Sequence, residues 1–363
     1  MEILLTELDG KPRFTLQCEK GWVASLPGGA EIARSAAGGL EPVVRSPRGT
    51  VLLGSFDTNS TEVLLAPAGE APIAVGKLKY AGTLRVKAAE SGLRVTNCVA
   101  MERYVASVVG SEMYASSTPS ASLEAQAIAA RTYARWSIER RGRVPLPDSQ
   151  EAQAYFGITR ETSATRSAAL ATAGRVLTYD RDLLPAFYHS TCGGRTIDGS
   201  YLLGGSAPPP LRGGACGFCE GGKLYRWNSV VSAEALAETA GDLKLGKRIA
   251  QLEPAGPNPD PWSSVKLTGD ARASTMPMRA FRSALLRTGN APSLPSPFVD
   301  SVQPHKSGVT ISGRGFGHGV GLCQVGAAEM GRRGRTCAQI LEHYYPSARV
   351  EPADAIPPVA RSR

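Results

Sequence analysis

The clearest structural signal in the sequence is LEAQAIAARTYA, which runs from Leu123 to Ala134. Pro119-Ser120 can begin a helix just before it, and Gly142 can end that helix. Apolar residues recur along it at the spacing of one helix face. They are Leu123, Ala127, Ala130, Ala134 and Ile138. The segment therefore predicts a packed core helix whose alanines let a neighbouring element approach closely.

Further elements are predicted on either side of this helix. Val105 and Val109 fall at helical spacing and predict a helix over about 100–113. Residues 161–173 predict a third helix, and the run after Gly174 predicts a strand over 176–179. These elements form the most regular part of the sequence.

Residues 1–95 have a different pattern, because short β-prone pieces alternate with glycine turns. The β-prone pieces are 2–8, 13–18, 51–53, 62–65, 83–86 and 93–95. Together with the helices that follow, this pattern predicts an α+β fold: a mixed helix/strand domain with an N-terminal β-rich appendage.

Composition excludes several classes of protein. The 363 residues are 42% hydrophobic and 20% charged, which is typical of a globular chain and not of a disordered one. No run of about 18 apolar residues is present, so we expect no transmembrane segment. The net charge of +9 favours an anionic partner, and the 6% aromatic content argues against a base-stacking groove for nucleic acid. The first residues lack the pattern of a signal peptide.

Ser111-Glu112-Met113 contains the first candidate for chemistry. At the end of an apolar helix, a carboxyl group beside Met113 and Val109 would lose hydration, and its pKa would rise. A raised pKa suits a general acid. A solvent-facing glutamate at a helix end is the alternative interpretation of the same spacing.

Two glycine-rich segments carry the other polar candidates. Residues 187–194, FYHSTCGG, predict a strand that runs into a glycine turn and can hold polar side chains at a cleft. Residues 313–321 contain five glycines around His318, a density that indicates backbone lining a site rather than a surface loop. Gln324 follows at a predicted helix start. The dinucleotide-binding pattern is excluded, because no strand, helix and downstream acidic residue complete it.

The seven cysteines include one C-x-x-C pair, Cys216 and Cys219. This pair is compatible with zinc, with a disulfide or with free thiols, and its spacing does not choose among them. For a tetrahedral zinc site, His189 and Cys192 are the obvious donors of the other two ligands. A thioredoxin-like role is disfavoured, because the pair lies in a glycine-rich loop and not at the start of a helix.

Taken in order, these segments resemble the stage II sporulation protein D family, also called the amidase-enhancer or LytB-like family. The similar motifs are MERYV at 101–105, EM at 112–113, LEAQAIAARTYA at 123–134, HSTCGGRT at 189–196, GFGHGVGLCQVGA at 315–327 and HYYP at 343–346. The resemblance covers about 96–350. The chain departs from the family pattern at Gly110, Phe316 and Cys323, where alanine, tryptophan and serine are usual.

The resemblance implies a catalytic domain at 96–350, preceded by a β-rich module at 1–95 and followed by a disordered tail at 351–363. It implies that Glu112 is the catalytic acid of a lytic transglycosylase that cleaves the MurNAc–GlcNAc bond of peptidoglycan, preferably in strands without stem peptides. The residues expected to bind substrate are Arg131, Tyr133, His189, Ser190, Thr191, His318 and Gln324. The expected cofactor is structural Zn²⁺, on His189, Cys192, Cys216 and Cys219.

A second role also follows from the resemblance, that of a non-catalytic glycan-binding protein that enhances a wall amidase. The expected partners are therefore peptidoglycan glycan strands and a wall amidase. The expected location is the cell envelope, in division, wall remodelling or sporulation. A nucleic-acid binder is disfavoured, because the basic residues are scattered along the chain.

Overall fold

The structure is a computed structural model that describes residues 1–36, 38–142, 144–149, 151–257, 260–289, 292 and 294–356. The chain forms two compact units. Unit 1 comprises Met1–Ala186, Gly334–Ile340 and Ser347–Arg363, and unit 2 comprises Phe187–Arg333 and Leu341–Pro346. Helices and strands are both abundant, which confirms the predicted α+β class.

In the described residues, the strands are β1 (Glu2–Leu4), β2 (Arg13–Cys18), β3 (Trp22–Ser25), β4 (Glu31–Arg34), β5 (Leu40–Arg45), β6 (Val51–Leu53), β7 (Phe56–Asp57), β8 (Glu62–Pro67), β9 (Ile73–Val75), β10 (Leu78–Tyr80), β11 (Thr83–Ala89), β12 (Gly92–Cys98), β13 (Leu146–Pro147), β14 (Arg175–Tyr179), β15 (Asp182–Leu183), β16 (Tyr188–His189), β17 (Arg226–Ser232), β18 (Ile249–Pro254), β19 (Ser264–Gly269), β20 (Ala273–Pro277), β21 (Val299–His305), β22 (Gly308–Arg314), β23 (Leu322–Cys323) and β24 (Arg349–Pro352). The helices are α1 (Met101–Glu112), α2 (Ser120–Arg141), α3 (Ser163–Ala171), α4 (Ser200–Leu203), α5 (Ala233–Asp242), α6 (Met278–Arg287), α7 (Gln324–Arg332) and α8 (Cys337–Tyr344). None of these helices is long and apolar enough to cross a membrane.

Two β-sheets form the first part of unit 1, as the β-prone pieces predict. One has the strand order β13-β1-β12-β11-β8-β3-β4, and the other has the order β10-β9-β2-β5-β6-β7. Along β2, Phe14, Leu16 and Cys18 are buried between exposed neighbours, the pattern of a sheet with one buried face. Contacts of β5 with β12 and of β6 with β11 join the two sheets.

The predicted domain boundary at residues 95 and 96 falls inside β12. That strand leads directly into α1, and β13, which follows α2, returns to pair with β1. The pairing covers a backbone edge of β1 that would otherwise lie open. The sheet therefore contains strands from both sides of the predicted boundary.

The three helices predicted in the centre of the sequence are confirmed. They are α1, α2 and α3, and both α2 and α3 contact α1. The α2 residues Leu123, Ala127, Ala130 and Ala134 are buried, as their spacing predicts. Gly142 ends α2 with a φ of 65°, a conformation that favours glycine.

α1 lies close to the turn that precedes α3. A Cβ atom at Gly110 would overlap the backbone carbonyl oxygen of Arg160. The departure from the family pattern at Gly110 therefore has a local cause, because only glycine leaves room for this approach.

Arg131 joins three helices and a strand at the centre of unit 1. Its side chain is 1% exposed, and its guanidinium forms an ion pair with Glu102 of α1, with Nε 3.0 Å from Oε1. It also donates to the carbonyl of Ala169 in α3 at 3.0 Å and to that of Arg175 in β14 at 3.1 Å. Because a guanidinium offers five N–H groups in a fixed geometry, one side chain of α2 fixes all these elements together.

The end of the chain departs from the prediction of a disordered tail from residue 351. β24 pairs antiparallel with β14, and Thr178 Oγ1 donates to the Glu351 carboxylate at 2.7 Å. Ile356 is buried with Val176 and Leu183. The strand covers an edge of β14. The local composition of residues 351–356 does not reveal this long-range pairing. Residues 357–363 lie outside the described part of the chain.

Unit 2 consists of small sheets and short helices. The strand orders in its described residues are β16-β23, β17-β22-β21 and β18-β19-β20. The last two sheets enclose a core with α5 and α6 that includes Val265, Phe281 and Ile311. In the first sheet, β16 and β23 run parallel and set His189 opposite Cys323.

Glycine-to-alanine substitutions in two helices should have opposite effects on stability. Gly110→Ala should lower the free energy of unfolding by about 1–3 kcal/mol, because the new Cβ displaces the Arg160 backbone. Gly241→Ala in α5 is the control: no atom lies within 4 Å of its Cβ position, so alanine should raise stability by about 0.8 kcal/mol. Urea unfolding measures both changes. A Gly110→Ala protein as stable as the wild type would contradict the close packing.

Loss of the Arg131 guanidinium should be far more costly than loss of a surface guanidinium. Arg131→Ala leaves the Glu102 carboxylate without its partner and should lower the free energy of unfolding by about 3–5 kcal/mol. Arg34→Ala, which breaks an exposed pair with Glu31, should change it by less than about 1 kcal/mol. Thermal or urea unfolding compares the two variants, and equal effects would reject the central role of Arg131.

Candidate functional site

Glu112 is the last residue of α1 and is half-buried. The helix ends there because Met113 is extended, with its side chain buried and its N–H bonded to the carbonyl of Val109 at 2.9 Å. The backbone N–H of Ala154 donates to Glu112 Oε1 at 3.2 Å. The Ala154 N–H therefore orients the Glu112 carboxyl group at the end of α1.

A buried hydrogen-bond network positions the segment that contains Ala154. The Tyr104 hydroxyl donates to Gln153 Oε1 at 2.9 Å, and Gln153 Nε2 donates to a carbonyl of α2 at 3.1 Å. On the other side of Ala154, the Tyr155 hydroxyl donates to Asn97 Oδ1 at 2.6 Å. Burial raises the pKa of Tyr104 well above its usual range, so its hydroxyl remains a donor. The network fixes the N–H group that contacts Glu112.

Two α2 residues, Arg131 and Tyr133, were predicted to bind substrate. The structure corrects this prediction for Arg131. Its guanidinium is buried and bonded to Glu102 and to backbone carbonyls, so it offers no surface to a ligand. Tyr133 is half-buried, and its ring centroid lies 5.8 Å from that of Trp136. A substrate-binding role for Tyr133 stays a prediction.

The glycine-rich segment of unit 2 packs its backbone against residues 187–192. Gly315, Gly317, Gly319 and Gly321 all have positive φ, from 71° to 99°, which glycine adopts without strain. A Cβ atom at Gly315 would lie 2.5 Å from the carbonyl oxygen of Thr191. The alternating glycines therefore allow the close backbone approach that their density predicted.

His189 and His318 both bind the backbone of Val320. His189 Nδ1 donates to the Val320 carbonyl at 3.1 Å, and His318 Nδ1 accepts from the Val320 N–H at 3.2 Å. His318 Nε2 donates to the carbonyl of Tyr188 at 2.8 Å. Burial lowers the pKa of His189 to about 3 and that of His318 to about 4, so both rings are neutral near pH 7. The two histidines thus fix the shape of the loop.

The residues of unit 2 that were predicted to bind substrate differ in their exposure to solvent. Ser190 and His318 are half-buried and keep accessible surface. His189, Thr191 and Gln324 are buried. Their side chains pack inside the unit, and direct substrate contact by these three stays a prediction.

Phe316 is a surface residue whose exposure the sequence analysis missed. Its side chain is 42% exposed, next to Gly317 and His318, although large apolar side chains are usually buried. Its backbone is fixed by hydrogen bonds with Thr191 at 2.7 and 3.1 Å. An exposed aromatic ring on a fixed backbone is a typical anchor for a ligand. The position of this aromatic residue between two glycines was the sequence signal that could have predicted its exposure.

Four thiols form a buried cluster in unit 2. The Sγ atoms of Cys192, Cys216, Cys219 and Cys323 all lie within 4.8 Å of one another. Cys192 Sγ is 3.4 Å from Cys219 Sγ, so no disulfide joins this pair. The cluster could hold a metal ion.

The chemistry of the cluster fits a tetrahedral thiolate site. Cys323 Sγ accepts from the backbone N–H groups of Cys192 and Gly326, both at 3.4 Å, and such donors stabilise negative charge on a metal-binding sulfur. Hydrogen bonds from Cys192 and Cys219 hold the pKa of Cys216 well below its usual range.

The fourth member of the cluster corrects the predicted ligand set. His189 lies opposite Cys323 across β16 and β23, but its Nδ1 is bonded to Val320 and its ring is not part of the cluster. Cys323 takes the place that was predicted for His189. Cys192, Cys216 and Cys219 are all cluster members.

Comparisons with known proteins agree with these motifs. The family model described as "SpoIID: Stage II sporulation protein" matches residues 89–179. An uncharacterised protein of Brachyspira hyodysenteriae is 27% identical over 271 residues, or 74% of this chain and 71% of that protein. Stage II sporulation protein D of Bacillus subtilis is 27% identical over 276 residues, or 71% of this chain and 76% of the relative. The amidase enhancer of Bacillus subtilis is 27% identical over 280 residues, or 66% of this chain and 39% of the relative.

The family match covers the part of unit 1 that positions Glu112. Residues 89–179 contain α1, α2, α3 and the segment that donates to the Glu112 carboxyl group. The similarity to the relatives extends over most of the chain. The chain therefore matches the Stage II sporulation protein family over residues 89–179, and most of its length is similar to Stage II sporulation protein D.

Proposed function

We propose that this protein is a lytic transglycosylase that cleaves the MurNAc–GlcNAc bond of peptidoglycan strands. The family match and the names of the relatives support a role in sporulation or in the cell wall, and hence a location in the cell envelope. The observation that carries the finer proposal is the Glu112 carboxyl group, which is half-buried at a helix end and oriented by the Ala154 N–H.

In the proposed reaction, Glu112 acts first as an acid and then as a base. Its carboxyl group protonates the glycosidic oxygen while the bond from that oxygen to C1 of MurNAc breaks. The resulting carboxylate then removes the proton of the MurNAc 6-hydroxyl, whose oxygen attacks C1 and closes a 1,6-anhydro ring. The carboxyl group is regenerated and no water is consumed. One carboxyl group suffices, in contrast to the acidic pair of ordinary glycosidases.

Each unit, taken by itself, has residues with accessible surface that we propose as contacts with glycan. They are Tyr133 in unit 1 and Ser190 and Phe316 in unit 2. Both nitrogens of His318 are bonded to backbone, so its proposed task is to hold the loop that presents Phe316.

Enhancement of a wall amidase is the second candidate function. The similarity to the amidase enhancer of Bacillus subtilis favours it. In this role Glu112 would contact glycan strands without transferring a proton, and the partner would be the amidase.

We also propose that Cys192, Cys216, Cys219 and Cys323 bind one structural Zn²⁺. The bound ion would link the end of β16, the C-x-x-C loop and the start of α7, because Cys323 caps that helix. The site is proposed to stabilise unit 2 and to take no part in the chemical step.

Substitution of Glu112 should abolish glycan cleavage without unfolding the protein. Glu112→Gln keeps the size of the side chain but removes the acidic proton, so the rate should fall by at least about 100-fold. Glu90→Gln, in the exposed turn after β11, should leave the rate unchanged. Mass spectrometry of products from purified, peptide-free strands should detect 1,6-anhydro-MurNAc ends with the wild type and with Glu90→Gln only.

Other products would identify the error in the proposal. Reducing ends would show that water is the nucleophile. A wild-type protein that leaves the strands intact, while both it and Glu112→Gln stimulate a wall amidase equally, would establish the second candidate function instead.

The cysteine cluster makes a prediction about metal content. Purified wild-type protein should contain one Zn²⁺ per chain, and Cys323→Ser should lose it and melt at a lower temperature. Cys337→Ser, outside the cluster, should retain zinc, and so should His189→Ala if Cys323 is the fourth ligand. Elemental analysis and thermal unfolding measure both effects. Zinc loss in His189→Ala with retention in Cys323→Ser would restore the ligand set predicted from sequence.

A further inference from the structure

A cavity of about 380 Å³ in unit 2 has no role in the function proposed above. Its lining combines acidic, basic, aromatic and apolar side chains. They include Asp198, Tyr201, Asp260, Met278, Arg279 and Phe298. The volume lies at the lower end of the range for ligand pockets, about 300–1,000 Å³, which suits one sugar unit rather than a long chain.

Arg279, an exposed residue, supplies the basic group of the cavity. Its Nη1 donates to the carbonyl of Tyr201 at 2.6 Å, and its guanidinium lies 5.1 Å from the centroid of the Tyr201 ring. Within the part of the chain that the structure describes, no carboxylate forms an ion pair with it. The remaining N–H groups form the planar fork that binds carboxylates with two hydrogen bonds.

Asp198 and Asp260 supply acceptors in the same cavity. Asp198 is oriented by a hydrogen bond from the Ser200 N–H to its Oδ1 at 2.8 Å. Carboxylates accept hydrogen bonds from hydroxyl and amide groups and repel small anions. Met278 and Phe298 are buried and add apolar surface. A matching ligand therefore carries one carboxylate, several hydroxyl or amide donors and an apolar face.

The cavity shares a wall with the glycine-rich loop of unit 2. A Cβ atom at Gly319 would lie 2.6 Å from the Phe298 ring, so this ring packs directly against the loop. The backbone N–H of Ile197, another lining residue, donates to the Gly319 carbonyl at 2.9 Å. A ligand in the cavity thus lies behind the loop that presents Phe316.

We propose that this cavity binds a carboxylate-bearing sugar, with Arg279 on the carboxylate and Asp198 and Asp260 on hydroxyl or amide groups. The ligand assigned to it is a MurNAc unit with a free lactyl carboxylate, an assignment that rests on the proposed peptidoglycan substrate. That carboxylate is free only where the stem peptide has been removed, because the peptide is joined to it as an amide. The site therefore distinguishes stripped strands from peptide-bearing strands.

Binding of single sugars to the intact protein tests this site. NMR titration should show N-acetylmuramic acid binding roughly tenfold more tightly than N-acetylglucosamine, which has the same ring without the lactyl group. Muramyl dipeptide, whose lactyl carboxylate is blocked as an amide, should bind as weakly as N-acetylglucosamine. Equal affinity for the three probes would overturn the proposal.

Substitutions test whether the Arg279 guanidinium causes the preference for N-acetylmuramic acid. Arg279→Gln should remove the tenfold difference, whereas Arg287→Gln at the other end of α6 should keep it. Asp198→Asn should weaken both sugars and preserve their ratio, which gives a second test if Arg279→Gln does not fold. A preference that survives in folded Arg279→Gln would overturn the assignment.

The outcome is separable from that of the cleavage experiment, because binding of a single sugar requires no glycosidic bond. Selective binding by a protein that does not cleave strands would reject the transglycosylase and retain the site. Cleavage without selective binding would reject the site and retain the transglycosylase.

Discussion

The buried ion pair between Arg131 and Glu102 is the contact on which the helical part of unit 1 depends. A guanidinium without water must use its N–H groups inside the protein, and Arg131 does so on α1, α3 and β14. Glu102 and Glu112 lie at opposite ends of α1. A residue that fixes the first end of a rigid helix also determines where the carboxyl group at the second end is placed. Arg131 therefore affects the position of Glu112 through geometry.

In unit 2 as well, a few contacts hold several segments in place. The parallel pair β16 and β23 brings Cys192 and Cys323 into the thiol cluster, and two neutral histidines hold the loop before β23 through the N–H and the carbonyl of one residue, Val320. The backbone of the exposed Phe316 is therefore held by neighbours that are buried or half-buried.

The sequence predicted the elements that depend on local patterns. The three central helices and the β-rich N-terminal segment follow from apolar spacing and glycine turns, and the structure has them. It did not predict features that arise from long-range contacts. Arg131 was interpreted as a ligand contact because its partner Glu102 lies 29 residues away, and Cys323 was missed because only the β16–β23 register brings it to the other thiols. The order of residues 351–356 likewise depends on pairing with β14.

Unit 2 is inserted into the chain of unit 1 as two segments, Phe187–Arg333 and Leu341–Pro346, and β24, which follows them, pairs with β14, which precedes them. The ends of the insertion are joined within unit 2, where the Tyr345 hydroxyl donates to the Phe187 carbonyl at 2.7 Å. Once unit 2 has formed, it therefore acts as a short loop, and the entropy cost of closing that loop is small. We expect the pairing of β24 with β14 to depend on prior folding of unit 2, because the folded unit holds the two ends of its chain together.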